Sequence, residues 1–273
     1  MEIVKILEKH ILSNLKKLVA AGVAVAAISG VAGLKPAAAT PATLGFYPAT
    51  DIYGDKVFHF DADRYSTTDF DGSGAGDTYG LTYGVGDADK PFGRSEFGFD
   101  YFSNSGLNFG NSLFFNAKTQ VYSKNDVRAV AGLWLAGDTS NPLVSNTGYL
   151  LASKSFKFGR IHAGVAHAFS DDNFSPQADD TYLQLGFDRA ITDKILFVAD
   201  YYSGSSPISG VQPTLYYSVN DKASFGIGYF FNNAAKDAGN ADQLYLCFDY
   251  NFGGPKAAAG EPALGDPGAP AGQ

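Results

Sequence analysis

The sequence predicts an all-β chain: a transmembrane antiparallel up-and-down β-barrel of about twelve strands, preceded by a signal peptide. Three observations carry this. In the run Gln243 to Phe252, Leu244, Leu246, Phe248, Tyr250 and Phe252 alternate with Gln243, Tyr245, Cys247, Asp249 and Asn251. An extended strand turns successive side chains to opposite faces, so this run has one apolar and one largely polar face. Segments of the same kind recur along the chain with almost no helical pattern between them. They are joined alternately by tight polar turns and by longer loops. A water-soluble sandwich shows a similar alternation within a strand, but neither the long repetition nor the one-sided loop lengths.

Composition agrees with a sheet that is half apolar. Mean hydropathy is −0.08, too polar for a bundle of membrane helices, while aromatic residues make up 14% and glycine numbers 32 in 273 residues. Glycine suits a curved sheet, and aromatic rings suit lipid–water boundaries. The formal charge is −8, but residues 1–39 hold Lys5, Lys9, Lys16, Lys17 and Lys35 against Glu2 and Glu8. Taking these from 20 basic and 28 acidic residues leaves 15 and 26, a net charge of −11. Nucleic-acid binding is therefore not expected, since phosphates are held mainly by lysine and arginine. A single cysteine leaves no internal disulfide, and there is no CxxC pair or zinc-ligand spacing.

Residues 1–39 read as a signal peptide. A basic leader to Lys17 precedes the uncharged run Leu18 to Leu34, and Ala37-Ala38-Ala39 supplies the small residues of a cleavage site. An uncleaved anchor helix is the other reading of this segment. No later stretch approaches the ~20 apolar residues of a spanning helix, so any further crossing falls to strands.

Residues 40–55, with Gly45-Phe-Tyr-Pro and Asp51-Ile-Tyr-Gly, are expected to form an irregular N-terminal arm, and residues 56–252 the barrel. The first strand is expected over Lys56–Tyr65, with Phe58, Phe60 and Ala62 opposing His59, Asp61 and Asp63. Thr78–Gly86 sets Tyr79, Leu81, Tyr83 and Val85 against threonine and glycine. Glu96–Ser103 sets Phe97, Phe99 and Tyr101 against Glu96, Gly98 and Asp100. In Leu113–Tyr122 the outward set is Leu113, Phe115, Ala117, Thr119 and Val121, and the inward face includes Asn116, Lys118 and Gln120. Val127–Ala136 is expected to turn Val127, Ala129, Ala131, Leu133 and Leu135 outward, with Arg128, Gly132 and Trp134 inward.

Gly148–Ser155 has no clear phase. Arg160–Phe169 alternates Ile161, Ala163 and Val165 with Arg160, His162 and Gly164. Thr181–Ala190 opposes Leu183, Leu185 and Phe187 to Tyr182, Gln184 and Asp188. Ile195–Ser203, a short core at Leu215–Val219, Ala223–Asn232 and the closing run complete the set. Four tight turns, Ser123–Asp126, Phe156–Gly159, Ile191–Lys194 and Asn220–Lys222, all fall at even-to-odd connections, and the longer loops mostly at odd-to-even ones. Asp87–Gly93 is a longer inner turn. This places both ends of the barrel on its short-turn side, the periplasmic one, and makes the strand number even. Residues 253–273, rich in Pro, Gly and Ala, offer nothing to pack and are expected to be disordered.

With these phases the lumen receives Asp61, Asp63, Glu96, Asp100, Asp188, Asp200 and Asp249 against Lys118, Arg128 and Arg160. An excess of carboxylates favours cations. The alternative is that the charges pair across the lumen and brace a filled barrel. Inward Phe102, Phe114, Trp134, Tyr202, Phe230 and Tyr245 narrow any passage. Catalysis is not expected: His59, His162 and His167 lie outside any His-x-Ser-Asn-Gly-like motif, and no metal or cofactor site is recognisable. Asp69 to Asp77 lacks the spacing of an EF-hand loop, and Gly84-Val-Gly86 has no helix after it for a nucleotide.

The signal peptide, the alternating strands, the one-sided loop lengths and the closing Phe248-Asp-Tyr-Asn-Phe252 resemble those of porin-like bacterial outer-membrane β-barrel proteins. The chain departs from that pattern in carrying a tail after the terminal aromatic. The resemblance implies outer-membrane localisation, passive or selective transfer of small solutes, and contact with outer-membrane lipid and the barrel-assembly machinery. It carries over no catalytic residue. The function expected is a narrow, cation-favouring channel. The alternatives are a closed structural or surface-binding barrel and, from another class, a lipid-modifying outer-membrane enzyme.

Overall fold

A computed structural model of the chain describes residues 42–67, 76–86, 93–103, 112–137, 146–169, 180–206, 208–233 and 242–254. The expected signal peptide, the tail beyond residue 254 and much of the longer loops lie outside the described residues.

Twelve strands form one closed antiparallel barrel in which each strand pairs with its neighbours in sequence and the first pairs with the last. They are β1 (Val57–Thr67), β2 (Gly76–Gly86), β3 (Arg94–Ser103), β4 (Ser112–Lys124), β5 (Val127–Ala136) and β6 (Thr147–Phe156). The circuit continues with β7 (Gly159–Ala168), β8 (Thr181–Ala190), β9 (Ile195–Tyr202), β10 (Gly210–Ser218), β11 (Ala223–Asn232) and β12 (Gln243–Gly253). Closure is continuous, running from Val57 opposite Gly253 to Thr67 opposite Gln243. No edge is left, which disposes of the unpaired backbone groups that an open sheet exposes.

The alternation read from the sequence sorts side chains as a barrel requires. Phe97, Phe99, Leu113, Phe115 and Leu150 lie on the outer surface with 45–62% of their area exposed. Their sequence neighbours Glu96, Asp100, Phe114, Asn116 and Tyr149 are buried in the interior. β6, which the sequence leaves without a clear phase, turns Tyr149, Leu151 and Ser153 inward and Leu150 outward. Its inner face is partly apolar, so alternation there carries little contrast.

Two expected phases fail, both beside bulges. Leu135, expected outward, is fully buried, and its φ is +50°. The β4–β5 register slips between Phe115 and Ala117, and the Asn116 side-chain oxygen accepts the Leu135 N–H at 3.1 Å. An extra residue in one strand turns the next side chain to the other face. A second slip between Gln120 and Tyr122 ends the expected outward series before Val121 and leaves Tyr122 outward, 43% exposed. The turn after β4 is tighter than expected: Asn125 and Asp126 have φ of 53° and 61°, as in a two-residue hairpin turn of the primed type.

β10 also begins earlier than the expected Leu215, at Gly210. Pro213 hides this part of the strand from a propensity reading because it has no N–H to donate. Pairing to β9 is continuous through Pro213, while the ladder to β11 passes from Val211 to Thr214.

Candidate functional site: an occupied lumen

The residues that matter most inside the barrel come from outside its wall. Ala42 to Asp55 runs within the lumen as a hairpin, and Ala42, Leu44, Tyr47, Ala49, Ile52 and Tyr53 are all buried. Thr43 bridges antiparallel to Pro48, the Leu44 N–H donates to Tyr47 O at 2.9 Å, and the Ala49 N–H to Ala42 O at 2.7 Å. The tip of this arm is therefore Gly45-Phe46.

Apolar residues in a segment without sheet partners need another surface, and the inward aromatics supply it. Phe46 meets Tyr65, Trp134 and Phe230 with ring centroids 5.6, 5.5 and 5.7 Å away. Tyr47 stacks on Tyr202 at 4.5 Å, and Tyr202 stacks on Tyr182 at 4.7 Å. Of the rings expected to narrow a passage, Trp134, Tyr202 and Phe230 thus clasp the arm tip, while Phe102 meets Phe114 and Tyr245 meets Tyr65. Near the base of the arm Tyr53 stacks on His59 at 4.4 Å.

Polar contacts fix the hairpin in three places. At the tip, Asp200 Oδ2 accepts the N–H groups of Gly45, Phe46 and Tyr47 at 3.1, 2.8 and 2.7 Å. Successive amides converging on one carboxylate form an anion nest. A Cβ on Gly45 would lie 2.9 Å from Thr214 Oγ1, so only glycine reaches this position without displacing the wall. The Tyr216 hydroxyl donates to Leu44 O at 2.8 Å, and the Tyr47 hydroxyl donates to Ile208 O.

Nearer the base, Glu96 accepts the N–H of Ala42 and of Tyr53, both at 2.9 Å. Lys118 Nζ pairs with Glu96 at 3.0 Å and donates to the carbonyls of Ala42 and Ala49 at 2.9 and 3.0 Å. Both side chains are almost wholly buried, so each charge relies on the other and on the arm backbone.

On the β5–β8 wall, Asp51 of the arm receives Arg160 through both terminal guanidinium nitrogens and Arg128 at 2.9 Å. Arg160 also holds Asp188 at 2.9 Å, and Asp188 lies 2.7 Å from His162 Nε2. Thr50 and Ser153 share a hydrogen bond of 2.6 Å. Burial alone would raise the Asp51 carboxyl, but the Arg160 and then the Arg128 guanidinium hold it well below the usual carboxylate range. Burial, reinforced by Asp200 for Tyr47 and by Glu96 for Tyr53, pushes both arm phenols up and keeps them neutral. Where the arm leaves the lumen, Gly84 permits the crossing: a Cβ there would lie 2.3 Å from Gly54 O.

The ten lumen candidates lie on eight strands with their side chains on the inner side, and they divide into three groups. Glu96, Lys118, Arg128, Arg160 and Asp188 belong to the ion pairs that hold the arm or its wall. Asp200 holds the arm tip through backbone amides. Asp61, Asp63, Asp100 and Asp249 occupy the stretch of wall where β12, β1, β2 and β3 follow one another. Asp61 faces Asp249 in the β1–β12 register, and Gly80 lies between Asp61 and Asp100. Neither oxygen of Asp61 has a hydrogen-bond partner, and none of these four forms an ion pair with a lysine or arginine among the described residues. Asp100 accepts from Asn116, Asp63 from the Tyr245 hydroxyl, and Asp249 from Ser224 while lying 3.7 Å from His59.

Sequence reasoning missed Asp51 and the whole lumenal course of the arm. The available signal was that Leu44, Phe46, Tyr47, Ile52 and Tyr53 crowd too much apolar surface into sixteen residues for a solvated linker. Of the histidines, His59 and His162 are buried and His167 faces outward. No group of three or more His, Cys, Asp or Glu among the described residues is arranged to hold a metal ion.

No family model matches the chain, and no curated protein matches it. Among solved structures it is similar to the outer membrane protein Omp33 of Acinetobacter baumannii, with 12% identity over 72% of this chain and 99% of that one and a TM-score of 0.43. It is also similar to Salmonella typhi OmpF, solved with daunomycin, with 10% identity, 74% and 100% coverage and a TM-score of 0.39. For Vibrio cholerae OmpT the identity is 13%, the coverage 74% and 100%, and the TM-score 0.29. The closed antiparallel barrel rests on the chain's own strand pairing.

Proposed function

We propose that the chain is a porin-like outer-membrane channel for small solutes, cation-favouring, whose passage is narrowed by its own N-terminal arm. One observation carries this reading: the segment filling the lumen is held mainly by side chains of the wall and takes no place in the ladder. Strand β1 closes on β12 and β2 without help from residues 42–55. A barrel that needed filling for stability alone could do so with wall side chains, as small barrels do.

Placement in a membrane is supported by the outer surface. A strand of ten residues such as β3 rises about 33 Å, and tilted by about 40° it spans about 25 Å, the height of an outer-membrane apolar band. Large rings at 37–48% exposure, among them Phe58, Tyr79, Phe97 and Phe99, cost too much in water and suit contact with lipid. Cation preference is supported by the balance of charge. Lys118, Arg128 and Arg160 are each committed to a carboxylate, whereas Asp61, Asp63 and Asp100 have no such partner among the described residues. Outer-membrane lipid, small solutes and the assembly machinery are the partners in this reading, which assigns transfer and no catalysis.

The test is planar-bilayer recording in a KCl gradient, using the chain from Thr40 and the same chain without residues 40–54. Small cation-selective steps are expected from the first and larger ones from the second. Absence of steps from both, with both folded as barrels in detergent, would establish a closed structural barrel instead.

A further inference from the structure

The arm tip occupies its seat as a ligand would, and the seat has a definite chemistry. Its polar anchor is Asp200, 1% exposed, whose Oδ2 is met by three N–H donors while Oδ1 has no partner. Around it, Tyr65, Trp134 and Phe230 surround the Phe46 ring, and Tyr202, backed by Tyr182, stacks on Tyr47. These five rings and the carboxylate come from β1, β5, β8, β9 and β11, so the barrel wall keeps them together whether or not the arm is present. The arm supplies what such a seat lacks, namely N–H groups directed at the carboxylate and an aromatic body for the ring-lined space. Its tip is joined to the wall by no strand pairing, so it can be displaced without opening the ladder.

We infer that the seat of Phe46 and Tyr47 is a recognition site for organic ammonium ions with an aromatic body, which compete with the arm tip for Asp200. An ammonium group carries up to three N–H donors, as many as the arm presents, and adds the positive charge that the amides lack. Tyrosine and tryptophan faces attract the same charge. A neutral alcohol of equal size satisfies the apolar part but offers Asp200 a single O–H and no charge. This deepens the channel reading, on which it rests, by naming the class of cation that the passage takes up and the contact that releases the arm.

The probe is phenethylammonium chloride, with 2-phenylethanol as the neutral control. Binding is measured by calorimetry in detergent on the chain from Thr40, on F46S/Y47S and on F46S/Y47S/D200N. F46S/Y47S is expected to bind phenethylammonium about tenfold more tightly than the unaltered chain, because the tip then keeps only its backbone hold on Asp200 and leaves the ring-lined space vacant. Adding D200N is expected to remove at least that gain, and 2-phenylethanol to bind none of the three. As a second measurement on the unaltered chain, phenethylammonium is expected to speed proteolysis of the arm, and the alcohol to leave it unchanged. Failure of F46S/Y47S to bind, or binding undiminished by D200N, overturns the site. Conductance separates the two readings: larger steps in F46S/Y47S without binding sink the site alone, and binding without steps sinks the channel alone.

Discussion

If the arm is a removable occupant, its hold on Arg160 sets how often it leaves, and D51N measures that hold. Asn has nearly the volume of Asp, so the substitution removes charge with little change in packing. The Arg160 side chain is 6% exposed and that of Asp51 15%, and Asp51 receives both terminal nitrogens of the guanidinium. Taking one partner from a buried pair costs about 3–5 kcal/mol. Arg160 keeps Asp188 at 2.9 Å, which brings the expected cost to the lower end, about 3 kcal/mol. Arg128, 41% exposed, adds no more than about 1 kcal/mol. A change of about 3 kcal/mol shifts the ratio of released to seated arm by roughly 150-fold. The assay is the ratio of large to small conductance states, checked by the rate of proteolysis of residues 42–55. D188N is the control, since it disturbs the same arginine but leaves the arm contact in place. A D51N chain whose arm is as protected as the unaltered one, or a D188N chain equally affected, would refute the reasoning.

Other outcomes follow from the same contacts. K118M leaves the buried Glu96 without its cation and the carbonyls of Ala42 and Ala49 without their donor, so the arm should become protease-sensitive while the barrel still resists unfolding in detergent. N116A removes the acceptor of the Leu135 N–H and the donor to Asp100, and should lower barrel stability by about 1–3 kcal/mol in urea titration, with little change in arm protection. For pH, the sign follows from Asp51 being held below its ordinary value. Its contribution to arm seating is complete above that value, 3.8, and is lost only as pH falls below it. The difference in arm protection between the unaltered chain and D51N should therefore be flat from pH 8 to 5 and shrink in stronger acid. Finally, D61N/D100N should move the KCl reversal potential toward zero more than D188N does, because Asp188 is already paired with Arg160.

The strands were legible because a barrel wall imposes period two on every segment, and lipid-compatible and lumenal faces differ in polarity. Legibility failed where that contrast or the period itself failed. β6 carries Tyr149 and Leu151 on its inner face, so polarity says little there. At Leu135, itself in the left-handed region, the phase shifts by one, and no alternation rule can see it. Pro213 conceals the first half of β10, where its missing donor coincides with an interruption in the ladder to β11. The ten lumen candidates were found by phase alone, yet phase says nothing about what lies between opposite walls.

That gap is filled by the arm, and the physics of the lumen explains why a segment of its composition ends there. Once Lys118, Arg128 and Arg160 face inward they need carboxylates within reach, and the wall offers Glu96 and Asp188 on the same side. Asp61, Asp63 and Asp249 lie on β1 and β12, away from these cations, and Asp100, four residues along β3 from Glu96, is engaged by Asn116 instead. Asp51 serves Arg128 and Arg160 together, and the arm backbone completes the shells of Lys118, Glu96 and Asp200 with carbonyls and amides. A polypeptide hairpin, which carries both N–H donors and C=O acceptors, can satisfy anionic and cationic wall groups at once. Seating the arm therefore neutralises one wall and leaves the acidic wall uncompensated. In the channel proposed above, the same arrangement that seats the arm would favour cations in the space that remains.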